Sequence, residues 1–277
     1  MHPIETQTVL VTGATSGLGR ALVQRLAMAG ATVVAHGRDA QRLARTSEEI
    51  LSATGRQVDT VRADLAELAQ VDRLADEVLE RYSQLHALVN NAGVGFGAPG
   101  GAREVSADGI ELRFAVNCLA SYRLARRLAD RLVESAPARI VQVASAGQLP
   151  LDPADPFTEH DYDGVTAYRR SKLAQVMTTF DLAADLVGTG VSVNAIHPAT
   201  FMDTAMVREA QQSPASTVEE GADAVWHLLT DPELDGVGGH YFNGTKDAQP
   251  DPQADDPAAR AWLRQLSDSL LSVTLGS

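Results

Sequence analysis

Over the N-terminal two-thirds of the chain, short β-branched runs alternate with longer amphipathic stretches, the arrangement of a parallel sheet covered by helices. The runs predict strands at 8–12, 32–35, 57–62, 87–90, 139–144, 191–196 and 239–242. Several are apolar throughout, as strands buried on both faces are. Between them, helical periodicity predicts helices at 18–29, 40–53, 67–82, 106–134, 166–187 and 218–229. Ser216 and Thr217 each precede a glutamate by three residues, which reads as overlapping capping boxes for the last of these. The stretch 247–257, rich in Asp, Pro and Ala, predicts a surface loop before a final helix. No linker, repeat or low-complexity segment divides the chain. The pattern predicts one α/β domain over 1–277, a doubly wound parallel sheet of about seven strands with helices on both faces.

Composition narrows what such a domain does. A chain of 277 residues buries a sizeable core without staples. Its 44% hydrophobic and 21% charged content is that of a soluble globular protein. The single cysteine, Cys118, excludes an intrachain disulfide and a multi-cysteine metal site, and it reads as core packing. The seven histidines show no HExxH or HxxxH spacing, so no metal is expected. No run of about 18 apolar residues predicts a membrane span. The first eleven residues lack a basic-then-apolar signal pattern, so a cytoplasmic location is expected. A net charge of −13 disfavours nucleic acid as a partner. Arginine outnumbers lysine 21 to 2, so the placement of each lysine is informative.

The first predicted strand runs into Thr12-Gly13-Ala14-Thr15-Ser16-Gly17-Leu18-Gly19, and a helix follows. Glycines at such a junction let backbone N–H groups approach a pyrophosphate at the helix N-terminus. The spacing is GxxxGxG, and a tight turn that binds nothing is the bland alternative. The position after the first strand of a βα array favours a dinucleotide. The second strand ends in His36-Gly37-Arg38-Asp39. Gly37 stands where an acid would bind the ribose hydroxyls of NAD, and Arg38 suits a 2′-phosphate, so NADP(H) is favoured over NAD(H). The alternatives are a solvated loop arginine at Arg38 and a helix cap at Asp39.

Tyr168 and Lys172 lie one turn apart on a predicted helix and share a face. An ammonium beside a phenol favours the phenolate, so Lys172 is expected to lower the Tyr168 pKa from its reference of about 10. Together with the TGxxxGxG loop, Asn90-Asn91-Ala92-Gly93, the helical Asn117 and Ser145, this pair resembles the short-chain dehydrogenase/reductase family. The five motifs stand in the family's order on the predicted elements, and the resemblance spans about residues 7 to 245. It implies a Rossmann-type fold and a nicotinamide cofactor held by Gly13, Thr15, Ser16, Gly17, Leu18, Gly19, Arg38, Asp64, Leu65, Asn91, Ala92, Gly93, Tyr168, Lys172, Pro198 and Thr200. It implies Tyr168 as general acid in reduction and base in oxidation, and Ser145 as hydrogen-bond partner of the substrate oxygen. Lys172 would hold the nicotinamide ribose, and Asn117 a water in a proton relay. The alternatives are a buried helical amide for Asn117 and an N-cap for Asp64.

Two features depart from the common pattern. Pro198-Ala199 replaces the usual Pro-Gly after the sixth strand, and 22 residues separate Ser145 from Tyr168. That longer spacing resembles the subset containing the retinol dehydrogenases and the WW-domain oxidoreductase. Substrate loops are expected around 147–165 and 199–217, with a C-terminal tail at 247–277. Leu149, Leu151, Phe157 and Tyr162, with Phe201, Met202 and Met206 of a mobile lid, suggest an apolar pocket. Five acids in the first loop oppose an anionic substrate, whereas Arg123, Arg126, Arg127 and Arg131 favour one unless they pair with neighbouring acids. The expected activity is NADP(H)-dependent interconversion of a ketone or aldehyde and an alcohol on an apolar small molecule. The alternatives are a tailoring ketoreductase or dehydrogenase of a bacterial secondary-metabolite pathway, and a nucleotide-sensing regulator without turnover. Ser145 in Ala-Ser-Ala-Gly lacks the GxSxG pattern of a hydrolase elbow. By family analogy the chain is expected to form a homo-dimer or tetramer through its long fourth and fifth helices.

Overall fold

Short, mostly apolar runs form the centre of the computed structural model, which describes residues 2–273. In chain order the elements are β1 (Thr8–Val11), α1 (Gly17–Met28), β2 (Thr32–Gly37), α2 (Ala40–Thr54), β3 (Asp59–Arg62), α3 (Leu68–Arg81) and β4 (Ala87–Asn90). A π-helical segment, Phe114–Ala120, then leads into α4 (Ser121–Glu134). β5 (Ala138–Val143), α5 (Gly164–Asp185), β6 (Val191–His197), α6 (Ala205–Glu209) and α7 (Val218–Thr230) follow. The chain closes with β7 (Tyr241–Asn243), β8 (Lys246–Ala248) and α8 (Pro257–Val273). Residues 274–277 of the expected C-terminal tail lie outside the described residues.

The strands form one sheet in the order β3-β2-β1-β4-β5-β6-β7-β8, parallel except for the antiparallel β7–β8 pair. The order reverses between β1 and β4, which opens a crevice at the carboxyl ends of the strands. Leu10, Val34, Leu88 and Ile140 face one apolar layer, under α3, α4 and α5. Val9, Val33, Val89 and Val141 face the other, which is closed by α1 and α7. The central strands β1, β2, β4 and β5 therefore bury both faces, and each fully buried Val or Leu contributes about 1.5–3 kcal/mol.

Helix ends follow local chemistry. Asp39 caps α2 by accepting from Gln41 N (2.9 Å) and Arg42 N (3.1 Å), and Gly55 closes it in the left-handed region. Thr217 and Glu220 form the expected capping box of α7, while the Ser216 hydroxyl donates instead to Thr200 O at 2.6 Å. Most element ends shift by one or two residues from the sequence reading, and two regions differ more. The helix expected from 106 starts later, because Val105 and Glu111 pair as a β-bridge around the Gly109 turn. The eighth strand lies partly within the predicted surface loop. Its residues are polar and edge-facing, held by backbone pairing after the Gly244 turn, so no apolar alternation marks them.

Candidate active site

The crevice brings the glycine loop against the turn after β4. Thr12 Oγ1 accepts from Asn91 N and Ala92 N, both at 3.0 Å, and Asn91 Nδ2 donates to Thr12 O at 2.8 Å. Gly13 sits at φ +67°, where a Cβ would press on Ala92, and a Cβ on Gly19 would fall on the Gly13 carbonyl. Glycine is required at both positions. The N-cap of α1, Ser16, makes no side-chain cap hydrogen bond, unlike Asp39 and Thr217. The first-turn N–H groups of α1 thus keep their capacity for an anion. Thr15 packs its methyl over Gly37, and the side chain of Leu18 is buried, so Leu18 offers only its backbone to the cleft.

His36 fixes the floor of this loop. Its Nδ1 accepts from Gly13 N (3.4 Å), its Nε2 faces Ala63 O (3.0 Å), and its carbonyl accepts from Ala14 N (2.8 Å). Burial pulls the imidazole down to about 4, so it stays neutral near pH 7. Beyond it, Arg38, Asp39, Arg62, Asp64 and Gln70 line a cleft at the ends of β2 and β3. Arg62 Nε donates to Arg38 O at 3.2 Å, which sets the two arginines side by side. Arg62 was not singled out in the sequence; only its register opposite Gly37 brings it here. Asp64 accepts from Ala66 N (3.0 Å) in a local turn, and the N-cap position of α3 belongs to Glu67. Leu65 is buried in the core, which leaves it only backbone contacts with a ligand.

At the other end of the crevice, α5 brings Tyr168 and Lys172 beside Ser145, which follows β5. Tyr168 is 8% exposed, hydrogen-bonds Ser145, and meets the Phe96 ring edge-on at 4.5 Å. Burial raises its phenol above the ordinary range, and the Ser145 contact offsets part of that. The expected lowering by Lys172 is absent: Lys172 Nζ lies 5.9 Å from the ring centroid and donates to Val143 O (2.7 Å) and Gln175 Oε1 (3.0 Å). Burial pulls this ammonium down to about 7. The Asn117 side chain is buried and bonded within the fold. Its Oδ1 accepts from Val94 N (2.7 Å), and its Nδ2 donates to Val94 O (3.0 Å) and Ser171 Oγ (2.9 Å). These bonds anchor the π-helical segment to the turn after β4. Gly93 fits between Asn117 and Lys172, where a Cβ would approach Asn117 Oδ1 at 3.2 Å. Two residues not singled out in the sequence hold Ser145: Tyr241 OH and Gln148 Nε2 donate to its carbonyl at 3.1 and 2.9 Å.

The two expected substrate loops are placed differently. Leu151 and Phe157 pack into the core, Phe157 against Phe114 at 5.3 Å, and Tyr162 OH faces Glu111 at 3.4 Å. The acids of this loop serve turns: Asp152, Asp155 and Asp163 accept backbone N–H bonds. The arginines of α4 are paired, Arg123 and Arg127 with Asp72 and Arg126 with Asp268, so they carry no case for an anionic substrate. After β6, Pro198 is buried and His197 Nε2 lies 3.1 Å from Thr200 Oγ1. The following segment lies down on the cleft, with Met202 on Gly221 of α7, Thr204 over Gly17 and Met206 on Gly95.

A glycine-cradled helix N-terminus and a Ser-Tyr-Lys set stand along one crevice. Residues 7–215 match the family model described as short chain dehydrogenase, and the chain belongs to that family of nicotinamide-dependent oxidoreductases acting on CH–OH or C=O groups. It is 33% identical to retinol dehydrogenase 14 of Mus musculus, over 96% of this chain and 86% of that one. It is 32% identical to the WW domain-containing oxidoreductase of Pongo abelii, over 98% and 69%. The Pseudomonas aeruginosa RhlG/NADP active-site complex superposes with a TM-score of 0.71 at 29% identity, covering 88% of this chain and 97% of that one. Among the described residues, no helix is long and apolar enough to cross a membrane.

Proposed function

We propose that the chain is an NADP(H)-dependent reductase of ketones or aldehydes, reversible as an alcohol dehydrogenase, on an apolar small molecule. The observation that carries this reading is the buried Tyr168 hydroxyl, joined to Ser145 and one turn from the buried Lys172. The bound nicotinamide supplies the hydride. The substrate oxygen accepts hydrogen bonds from Ser145 and Tyr168, and Tyr168 gives it the proton as negative charge develops there. Because burial keeps the phenol protonated near neutrality, the resting site is set for donation, which is the reducing direction. Lys172 contributes an ammonium that orients the ribose. Arg38 and Arg62 offer two cations to a 2′-phosphate, and no acid stands at Gly37 to select the ribose hydroxyls of NAD.

Tyr168→Phe tests the chemistry. Cofactor affinity is expected to survive while turnover on a panel of carbonyls falls by about 100- to 10,000-fold, the usual worth of a general acid. Retention of more than about a tenth of the activity would falsify the assignment. NADPH binding without turnover across the panel by the native chain would favour the regulator instead.

A further inference from the structure

Lys172 ends in three N–H donors and no acceptor, and the structure engages two of them. One goes to Val143 O of β5 at 2.7 Å and one to Gln175 Oε1 at 3.0 Å. The remaining direction faces the crevice, where a Cβ on Gly93 would lie 3.6 Å from Nζ. The Asn117 side chain is engaged elsewhere, its Oδ1 accepting from Val94 N and its Nδ2 donating to Val94 O and Ser171 Oγ. Gln175 is fully buried, and its Nε2 donates to Gln142 Oε1 at 3.2 Å. A lysine can only donate, so the Gln175 oxygen must face it and the amide nitrogen must turn to Gln142. We propose that Gln175 is a positioning residue for Lys172: braced by Gln142, its amide holds the ammonium against β5 with one N–H left for the cofactor ribose.

The inference rests on the reading that Lys172 serves the cofactor. An amide suits this task because it gives direction without charge. A carboxylate in its place would fix the lysine in an ion pair, and an apolar residue would leave it one acceptor. The titratable groups facing Nζ are Tyr168, from its own helix, and the Cys118 thiol, from the π-helical segment. β5 presents the Val143 carbonyl.

The chain has only two lysines, so NMR of protein labelled with 13C at lysine Cε gives two signals, the second from exposed Lys246 and assigned with Lys246→Arg. Gln175→Glu is expected to raise the Lys172 midpoint by about one pH unit or more, and Gln175→Met to lower it, because one adds an opposite charge and the other removes an acceptor. Gln175→Asn, too short to reach, is expected to move it like Met, and it replaces Glu as the test if the buried carboxylate prevents folding. NADPH affinity by fluorescence is expected to fall several-fold in Gln175→Met. A Lys172 midpoint that stays put in all folded variants overturns the proposal. Tyr168→Phe is run alongside. If it keeps turnover while the Lys172 midpoints shift, the catalytic reading fails and the positioning role stands; the opposite pattern removes the positioning role alone.

Discussion

Tyr168 and Lys172 are shifted in opposite senses by the same cause, burial, which disfavours whichever form is charged. For Lys172 the charged form is the ammonium, held below about 7 and lost as pH rises through that value. The kcat/KM for NADPH, which reports the free enzyme, is therefore expected to decline as pH rises through about 7. For Tyr168 the charged form is the phenolate, so alcohol oxidation is expected to gain only above the ordinary phenol range. A reduction profile flat from pH 6 to 9, roughly the window around the lysine shift, would contradict the lysine part. At the cofactor's other end, Arg38→Ala and Arg62→Ala are each expected to weaken NADP(H) about tenfold or more, about 1.4 kcal/mol, and to leave NAD(H) nearly unchanged. Calorimetry with both dinucleotides checks this, and equal losses for the two cofactors would remove the arginines from 2′-phosphate recognition. Ser145, Tyr168, Lys172 and the glycines were legible in the sequence because their spacing is local and their residue types are scarce or conformationally special. Arg62, Gln175 and Tyr241 were not. Arg62 is one of 21 arginines, Gln175 is one amide on an apolar helix, and Tyr241 reaches Ser145 from a strand 96 residues away.

Element by element, the helix N-termini fall into two groups. Helices α2, α5 and α7 satisfy first-turn N–H groups with Asp39, Asp163 and Thr217, whereas Ser16 of α1, like Glu67 of α3, makes no such bond. Ser16→Asp would add a cap and a favourable charge at the helix N-terminus, so it is expected to stabilise the fold by about 1 kcal/mol. Under the proposed function, the same carboxylate would occupy the N–H groups open to a pyrophosphate and repel it. Thermal melts and NADPH titration are expected to move in opposite directions; a variant gaining stability with intact affinity would dissociate α1 from phosphate binding. The segment after β6 poses a different question. It reaches across the cleft through Met202, Thr204 and Met206, but it contains only the five-residue α6 and leaves Phe201 39% exposed at φ +45°. Few buried apolar contacts hold it, so its amides are expected to exchange quickly in the free protein and to become protected once cofactor and substrate bind. Unchanged exchange in the ternary complex would count against closure. The sequence marked Met202 and Met206 as lid residues, and it did not mark the glycines they land on, because Gly221 and Gly95 lie elsewhere along the chain.

In the whole molecule, α8 decides which surface is available to a second copy. The sequence expectation assigned pairing to the long fourth and fifth helices. The structure instead packs α8 against α5 and joins it to the edge of α4, with Arg126 of α4 paired to Asp268 and Asp185 of α5 clasped by Arg264 at 2.7 and 3.0 Å. Arg260 adds a longer pair to Asp181 at 3.7 Å. Leu263 and Leu271 are buried in the main apolar layer, and Trp262, Leu266 and Leu270 pack against it. Exposed ion pairs contribute about 0–1 kcal/mol each, so the buried leucines and the tryptophan hold the helix down and the pairs set its register. A face covered in this way is closed to pairing unless α8 leaves, and leaving would expose two buried leucines to water. The native chain is therefore expected to show no self-association through α4 and α5. Charge reversal at exposed Arg127 of α4 should leave its sedimentation unchanged. Truncation before Pro257 uncovers the apolar strip, and the shortened chain is expected to self-associate at concentrations where the full chain does not. Sedimentation velocity on the two proteins checks this. Full-length dimers cross-linked between α4 and α5 of two copies would show that α8 yields its place, and the covering helix would then lose its meaning as a barrier.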